Sequence, residues 1–288
     1  MMPGTMSPPP KSPGSKWPIF LVNRSGLPFD ELTWNELWEF ASYLYPEARA
    51  SFHNIQGAET LDDLPTPHPP SISMAKQGRI LEYLRKVQDY MNRLSYNHTG
   101  TQFFETRPNS SLHTLVEAAK VIVREALPIK CMEAVVLAIY LTNGVPGMGR
   151  FTINFKSELP PVQKLSSHAH LQTSASSKRY FYHVVLGVVL GNRFGAIGLS
   201  RRANLMNKSV QFPSLMDLVD EFERSYQECG QRLVKIRIGR LISHDQYSIS
   251  PIPWKGITIH PRTEELKDVK CKVERHSKEL RSALRGAR

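Results

Sequence analysis

HVVLGVVLGNRFGAIGLS, residues 183–200, is the stretch that decides the fold of the second half of the chain. Its two apolar runs meet at a Gly-Asn dipeptide, which favours a two-residue turn between antiparallel strands. A turn there places Leu186 opposite Ile197, and the same pairing continued outward places His183 opposite Ser200. Opposed residues hold their Cβ atoms about 4.5–5.5 Å apart, so a serine oxygen can reach an imidazole nitrogen. The hairpin therefore predicts a His–Ser contact, although both could be ordinary surface residues.

The rest of the chain shows helical periodicity first and strand periodicity later. Apolar residues recur at helical spacing over 34–45, 75–96 and 111–125, and the capping box Thr33-Trp-Asn-Glu36 precedes the first of these. Later segments alternate as strands or return to helical spacing: strands at 150–156 and 232–240, a helix from Pro213 and a basic helix from about Thr263. This order predicts an α+β fold with an antiparallel sheet and a helical N-terminal half.

The segment LPIKCMEAVVLAIYLTNG, residues 127–144, is apolar nearly all round and predicts a central, buried helix. Pro128 suits its first turn, where Cys131 would also lie. A helix N-terminus and the adjacent Lys130 both favour the thiolate, so we expect a low thiol pKa at Cys131. The alternative is that Cys131 is an inert core residue, as free cysteines usually are.

A cysteine at the start of a helix, followed in sequence by a histidine on a strand, is the layout of papain-like and transglutaminase-like enzymes. In such sites the histidine activates the thiol and a third group orients the histidine. The third group is commonly Asp or Asn, whereas the residue predicted to face His183 is Ser200.

The composition limits the classes of protein to consider. The chain has 288 residues, a net charge of +11 and three cysteines without CxxC spacing, which argues against a disulfide framework and against a zinc site. No apolar run is long enough to span a membrane, and the N-terminus lacks the apolar stretch of a secretory signal, so we expect a cytosolic protein. Residues 201–288 hold 18 Lys and Arg against 11 Asp and Glu, which favours a polyanionic partner.

Composition shifts predict the domain organisation. Residues 1–17 are rich in Pro and Ser and indicate a disordered leader. A helical N-terminal region is expected over 18–107, a catalytic α+β core over 108–260 with a flexible insert at 157–178, and a basic C-terminal helix over 261–288.

Four segments together carry a resemblance to a known family: YNHTGTQFFE (96–105), EALPIKCMEAVVLAIYLTN (125–143), RFTINFK (150–156) and YHVVLG…GNRFGAIGLSRR (182–202). They resemble the vasohibins, which are tubulin tyrosine carboxypeptidases of the transglutaminase-like cysteine protease group. The resemblance covers roughly residues 18–285 and is densest around Cys131. A papain/transglutaminase-like cysteine peptidase core is the fold that it implies.

The resemblance also implies roles for individual residues. It assigns a catalytic triad to Cys131, His183 and Ser200, and an activity that removes the C-terminal tyrosine from the acidic tail of α-tubulin. Lys130 and Arg201 match the positions at which the family binds the terminal carboxylate of the substrate. The alternative is that both are ordinary solvated charges. Tyr96 matches a tyrosine in the substrate pocket of the family.

The resemblance further implies a short helical partner, small vasohibin-binding protein, and no cofactor or metal ion. The apolar stripes of the first helices would suit a groove for such a partner, or they could pack on one another; the stripes contain Trp34, Trp38, Leu84 and Met91. The insert at 157–178 is longer than the corresponding link in vertebrate vasohibins and could overhang the cleft. The family association leaves unconventional secretion open.

Two other functions compete with hydrolysis. One is a non-catalytic basic module that binds microtubules or other polyanions through its C-terminal half, although no motif for nucleic-acid binding is present. The other is acyl transfer to a lysine, as in true transglutaminases. Carboxylate capture by Lys130 and Arg201 has no purpose in that reaction, which argues against it.

Overall fold

The computed structural model describes residues 31–57, 66–99, 101–159 and 180–286. The chain divides into two compact units: one holds the first two helices with residues 99–101, and the other holds the rest from Pro67 onward. The leader and most of the predicted insert lie outside the described residues. No helix in the described ranges is long and apolar enough to cross a membrane.

The elements follow the expected order of helices and then mainly strands. They are α1 (Glu31–Leu44), α2 (Arg49–Gln56), α3 (Ser73–Lys76), α4 (Ile80–Leu94), α5 (Leu112–Glu125), α6 (Cys131–Leu141), β1 (Met148–Glu158), β2 (Tyr180–Leu190), β3 (Arg193–Ile197), β4 (Lys208–Phe212), α7 (Leu215–Glu228), β5 (Arg232–Ile238), β6 (Ile257–Ile259) and α8 (Leu266–Gly286). This content confirms the predicted α+β class with a helical N-terminal half.

The strands form one antiparallel sheet in the order β4-β3-β2-β1-β5-β6. The register of the hairpin is the predicted one, since Leu186 pairs with Ile197 and Leu190 with Arg193. Gly191 in the turn has a φ of 57°, a left-handed conformation that glycine adopts without steric cost. The position of the turn dipeptide was therefore sufficient to predict this register.

The ladder stops before it reaches His183 and Ser200, so the prediction that they face each other as a strand pair is wrong. β3 ends at Ile197. The backbone of the next residue, Gly198, is hydrogen-bonded to the side chain of Gln88 on α4. Gln88 Nε2 donates to Gly198 O at 2.9 Å, and Gly198 N donates to Gln88 Oε1 at 3.1 Å. Because this buried side-chain amide pairs with both the backbone N–H and the backbone C=O of Gly198, neither group requires a partner on a neighbouring strand.

Gln88→Leu is expected to lower the free energy of unfolding by about 2–4 kcal/mol, because a donor and an acceptor on Gly198 would remain buried and unpaired. Urea denaturation of the full chain measures this loss. Gln77→Leu is the matched control, since Gln77 is exposed and lies outside this contact. Equal losses in the two variants would contradict the role given to Gln88.

The sheet carries a hydrophobic core on each face. Val184, Leu186 and Val188 of β2 pack with α3–α6, whereas Val185 and Val189 pack with α7 and α8 on the opposite face. Helix α6 is buried nearly all round, as its composition predicts: every residue from Glu133 to Ile139 is buried, and so is Leu141. Cys131 and His183 thus lie on two elements of this core, α6 and β2, whereas Ser200 follows the end of β3.

The boundaries of two predicted helices need correction. The helix predicted over 75–96 is two helices, because Gly78 at a φ of 85° ends α3 before α4 begins. The capping box at Thr33 is wrong, since α1 begins at Glu31 and already contains Thr33.

Two further boundaries differ near the candidate site. Pro128 precedes α6 instead of lying in its first turn, because the helix begins at Cys131. The insert predicted from residue 157 begins later, since Ser157 and Glu158 are buried and belong to β1. Ser157 Oγ donates to Gln231 Oε1 at 2.7 Å, and Glu158 pairs with Arg262, so polar partners let these strand residues be buried.

Candidate active site

Cys131 occupies the first position of α6 because the chain before it is held in an extended conformation. Ile129 forms a parallel bridge with Tyr96: Asn97 N donates to Ile129 O at 2.9 Å, and Ile129 N donates to Ser95 O at 3.1 Å. This bridge fixes the entry to the helix and brings Tyr96 beside its N-terminus.

The first turn of α6 is capped by a buried carboxylate. Glu133 has no exposed surface, and its side chain accepts a hydrogen bond from the backbone N–H of Lys130, the residue that precedes the helix. Burial raises the pKa of the Glu133 carboxyl above its usual value. The cap satisfies one of the free N–H groups of the helix start and leaves those of the first helical residues for other acceptors.

The thiol of Cys131 is half-buried, and the backbone N–H groups of Val184, Met132 and Cys131 lie close enough to favour its thiolate form. The Val184 N–H belongs to the residue that directly follows His183, so the sulfur lies beside β2. Burial raises the pKa of the thiol, and the three N–H donors oppose that rise only in part. The expectation of a low thiol pKa is therefore wrong, because desolvation of the thiolate outweighs the backbone N–H groups that favour it.

The imidazole of His183 is held on two sides. Its ring stacks on Phe155 of β1 with centroids 6.2 Å apart, and its Nε2 lies 2.7 Å from the carbonyl oxygen of Leu205. Because a carbonyl only accepts, Nε2 carries the proton and Nδ1 keeps the lone pair in the neutral ring. Burial lowers the pKa of His183 to about 4, so the ring is neutral at pH 7 and able to accept a proton.

One cavity of about 440 Å³ brings most of the predicted residues together. Of the six, Lys130 is not among the described residues that line it. The lining includes five predicted residues and several neighbours: Tyr96, Cys131, His183, Ser200 and Arg201, with Ser157, Tyr180, Phe181, Tyr182, Arg202, Leu205, Tyr226 and Gln231. Sequence positions from 96 to 231 thus converge on one cleft.

Arg201 lines this cavity, and its guanidinium carbon lies 5.8 Å from the ring centroid of Tyr96. Burial raises the pKa of Tyr96, and the positive charge of Arg201 opposes that rise. Ser200 is half-buried, and its Oγ accepts a hydrogen bond from Arg202 N at 3.3 Å. An exposed cation beside a phenol and a hydroxyl can bind a carboxylate in a cleft of this size.

Sequence reasoning missed the carbonyl of Leu205, which holds the orienting position that the hairpin had assigned to Ser200. Leu205 ends a 3₁₀ turn over Ala203–Leu205, just after the hairpin. A backbone carbonyl has no side-chain signature, so no residue type in the sequence could indicate this role.

The depressed pKa of His183 predicts a pH dependence of stability. The unfolded chain takes up a proton near pH 6.5, and the folded protein only near pH 4. The unfolded state therefore binds more protons in this window, and the free energy of unfolding should fall as the pH drops from 6.5 to 4. Urea denaturation measures this slope, and His183→Gln should reduce it. An unchanged slope in that variant would contradict the buried, neutral imidazole.

The described residues contain no group of three or more His, Cys, Asp and Glu side chains that could hold a metal ion. The lining of the cavity offers a thiol, an imidazole, a hydroxyl and cationic side chains.

A thiol at the first position of a buried helix, beside an imidazole on the adjacent antiparallel strand, defines a papain/transglutaminase-like α+β protein. Comparison with known proteins agrees with this class. The family model described as Vasohibin matches residues 18–281. The chain belongs to the vasohibin family.

A curated mouse relative supports the same family. The chain is 39% identical over 262 residues to the protein named Tubulinyl-Tyr carboxypeptidase 1, and the match covers 91% of this chain. The chain spans 65% of the length of that relative.

Proposed function

We propose that this chain is a cysteine carboxypeptidase that removes the C-terminal tyrosine from the acidic tail of α-tubulin. The observation that carries the proposal is the convergence of a thiol, a neutral imidazole and an exposed guanidinium in one cavity: Cys131, His183 and Arg201. The name of the mouse relative states the same reaction for that protein. Ser200 and Tyr96, which share the cavity, are further proposed members of the site.

The proposed reaction begins with two neutral groups. His183 Nδ1 removes the thiol proton as Cys131 Sγ bonds to the last peptide carbonyl carbon. The N–H groups at the start of α6, from Cys131 and Met132, can donate to the oxyanion that forms. Because burial opposes charge on both Sγ and the imidazole, we infer that the proton moves during attack and not before it.

The tetrahedral intermediate then collapses. The C–N bond breaks, His183 gives its proton to the leaving amine, and free tyrosine departs, leaving a thioester on Cys131. A water molecule gives a proton to His183 and adds to the thioester carbonyl. The C–S bond breaks, His183 gives the proton to the sulfur, and the shortened tail leaves as a carboxylic acid that loses its proton to water. Because the Leu205 carbonyl holds Nε2–H throughout, Nδ1 is the ring nitrogen that exchanges protons in this proposal.

An exopeptidase must recognise the free carboxylate at the chain end. Arg201 lines the cavity and is the primary candidate, with Tyr96 beside it. Lys130 lies next to Cys131 in sequence but outside the cavity lining, so its proposed contribution is a longer-range positive charge. The net charge of +11 favours an acidic tail over a neutral one. Tubulin as substrate would place the activity in the cytosol.

The α1–α2 unit is the proposed site for small vasohibin-binding protein. None of the α1 residues described is buried, and a groove of about 690 Å³ is lined by aromatic residues that include Trp38, Tyr43 and Phe52. Leu84 and Met91, which the sequence also offered for this groove, are instead buried in the core beside α6. Of the described residues offered by the sequence, those on the first two helices are therefore the proposed contacts.

The test is release of tyrosine from an acidic peptide with the tubulin tail sequence. The full chain, alone and co-purified with the small partner, is incubated with the peptide, and the products are weighed by mass spectrometry. Loss of one tyrosine supports the proposal, and an intact peptide under both conditions rejects it. Replacing the terminal tyrosine by phenylalanine measures the preference between the two residues.

The second candidate is the non-catalytic basic module. It is favoured by α8, whose exposed surface carries many cations, among them Lys267, Lys270, Arg275, Lys278 and Arg285. This function predicts microtubule binding that weakens steeply with salt and that is indifferent to His183→Gln. Tyrosine release that depends on His183 would decide for the carboxypeptidase.

A further inference from the structure

The carbonyl that orients His183 belongs to a short turn with little ladder support of its own. The 3₁₀ turn Ala203–Leu205 is closed by a bond from Leu205 N to Arg202 O at 3.0 Å. It lies between the end of β3 and the start of β4, and two of its three side chains are at least partly exposed. Something outside the turn must therefore hold the Leu205 carbonyl within 2.7 Å of Nε2.

The side chain of Asn204 makes that connection. Its Nδ2 donates to Ser225 O at 3.3 Å and to Glu228 Oε2 at 3.1 Å, both on the last turns of α7. Its Oδ1 accepts from Cys229 Sγ–H at 3.2 Å, at the C-cap of the same helix. The three hydrogen bonds of this amide thus all join it to the end of one helix.

Helix α7 itself is well anchored behind the turn. Phe222 and Tyr226 are buried and pack against Phe155, the residue on which the imidazole of His183 stacks. The helix end therefore supports both contacts of the imidazole: the ring face through Phe155 and the Nε2–H through Asn204 and Leu205.

We propose that Asn204 is a positioning residue, which holds the Leu205 carbonyl on His183 by fastening the turn to the end of α7. The inference rests on the proposed function only for its activity readout, since the tautomer of His183 can be observed in any case. Without the anchor the carbonyl moves, the imidazole samples both neutral tautomers, and Nδ1 carries a proton part of the time. In that state it cannot accept the thiol proton.

A charge pair tests the anchor without removing side-chain volume. Asn204→Asp places a carboxylate against the Ser225 carbonyl and the Glu228 carboxylate. The two hydrogen bonds that Nδ2 donates are then lost, and the new carboxylate repels both acceptors. In the double variant Asn204→Asp with Glu228→Arg, the two side chains carry opposite charges and can form an ion pair that again joins the turn to α7. Asn143→Ala is the control, because Asn143 is a half-buried asparagine bonded to Arg150 at the far end of α6.

Two measurements on the full chain report the result. The ¹⁵N NMR signals of His183 show which ring nitrogen is protonated, and the peptide assay gives kcat and KM separately. For Asn204→Asp we expect mixed tautomers and a kcat lower by roughly 10- to 100-fold with KM nearly unchanged, since the carboxylate-binding groups are untouched. The double variant should recover the single tautomer and kcat to within about threefold.

Other outcomes overturn the inference. A single Nε2–H tautomer in Asn204→Asp, or losses that the double variant does not recover, would show that Asn204 does not position the imidazole. A fall in thermal stability with an unchanged tautomer would mean that the anchor is structural only. If the wild-type chain releases no tyrosine, the proposed function fails, and the NMR comparison still decides the role of Asn204.

Discussion

Cys131→Ala is expected to lower the rate of tyrosine release by at least about 10⁴-fold, because the reaction then lacks the nucleophile that forms the thioester. The substitution removes one sulfur atom at the first position of α6 and leaves the helix, its cap and the cavity wall intact. Binding of the peptide should therefore persist, and the loss should appear in kcat. Mass spectrometry of peptide products at high enzyme concentration measures the residual rate.

Cys271→Ala is the control for this prediction, because Cys271 is exposed on α8 and outside the cavity lining. It should retain the wild-type rate. Trapping of a tail-sized adduct on the wild-type chain, absent from Cys131→Ala, would identify the acyl-enzyme directly. Undiminished release by Cys131→Ala would reject the thiol mechanism altogether.

Arg201→Gln is expected to raise KM by roughly 10- to 100-fold with a smaller change in kcat, since it removes a charge-assisted hydrogen bond worth about 1.5–3 kcal/mol. The same reasoning predicts that a peptide ending in a carboxamide is a poor substrate for the wild-type chain. In Arg201→Gln the difference between carboxylate and carboxamide peptides should largely disappear. That loss of discrimination separates carboxylate recognition from a general loss of positive charge.

Arg124→Gln is the matched control, because Arg124 is an exposed arginine on α5 that pairs with Glu125 away from the cavity. It should leave KM unchanged at moderate salt. Lys130→Gln should raise KM less than Arg201→Gln, because Lys130 does not line the cavity. Equal KM values for Arg201→Gln and Arg124→Gln would show that Arg201 does not bind the chain end.

Much of the scaffold was predictable from local patterns. The register of the β2–β3 hairpin follows from the position of the turn dipeptide, because a two-residue turn at Gly191-Asn192 fixes which residues pair on either side of it. Helix α6 follows from an unbroken apolar run of helical length, which only burial on all sides explains. These features depend on neighbours in sequence, so sequence alone determined them.

The candidate residues were found for a similar reason. The residue types themselves indicate the chemistry here: a cysteine at the start of a helix can be a nucleophile, and a histidine at the start of a strand can be its base. The resemblance to the vasohibins then added Lys130, Arg201 and Tyr96. Of the six residues named from sequence, five line one cavity.

Contacts between distant segments decided the rest. Gln88 ends the ladder by binding Gly198, and the carbonyl of Leu205 orients His183; the first contact joins residues 110 positions apart. The direction of the thiol pKa also reversed, because the cost of desolvating Cys131 depends on how the sheet covers the helix start. Local periodicity and residue chemistry thus determined the strands, the buried helix and the reactive groups. Only the tertiary structure decided which backbone groups hydrogen-bond to the reactive side chains and how far those side chains are shielded from water. Both depend on packing between segments far apart in the chain.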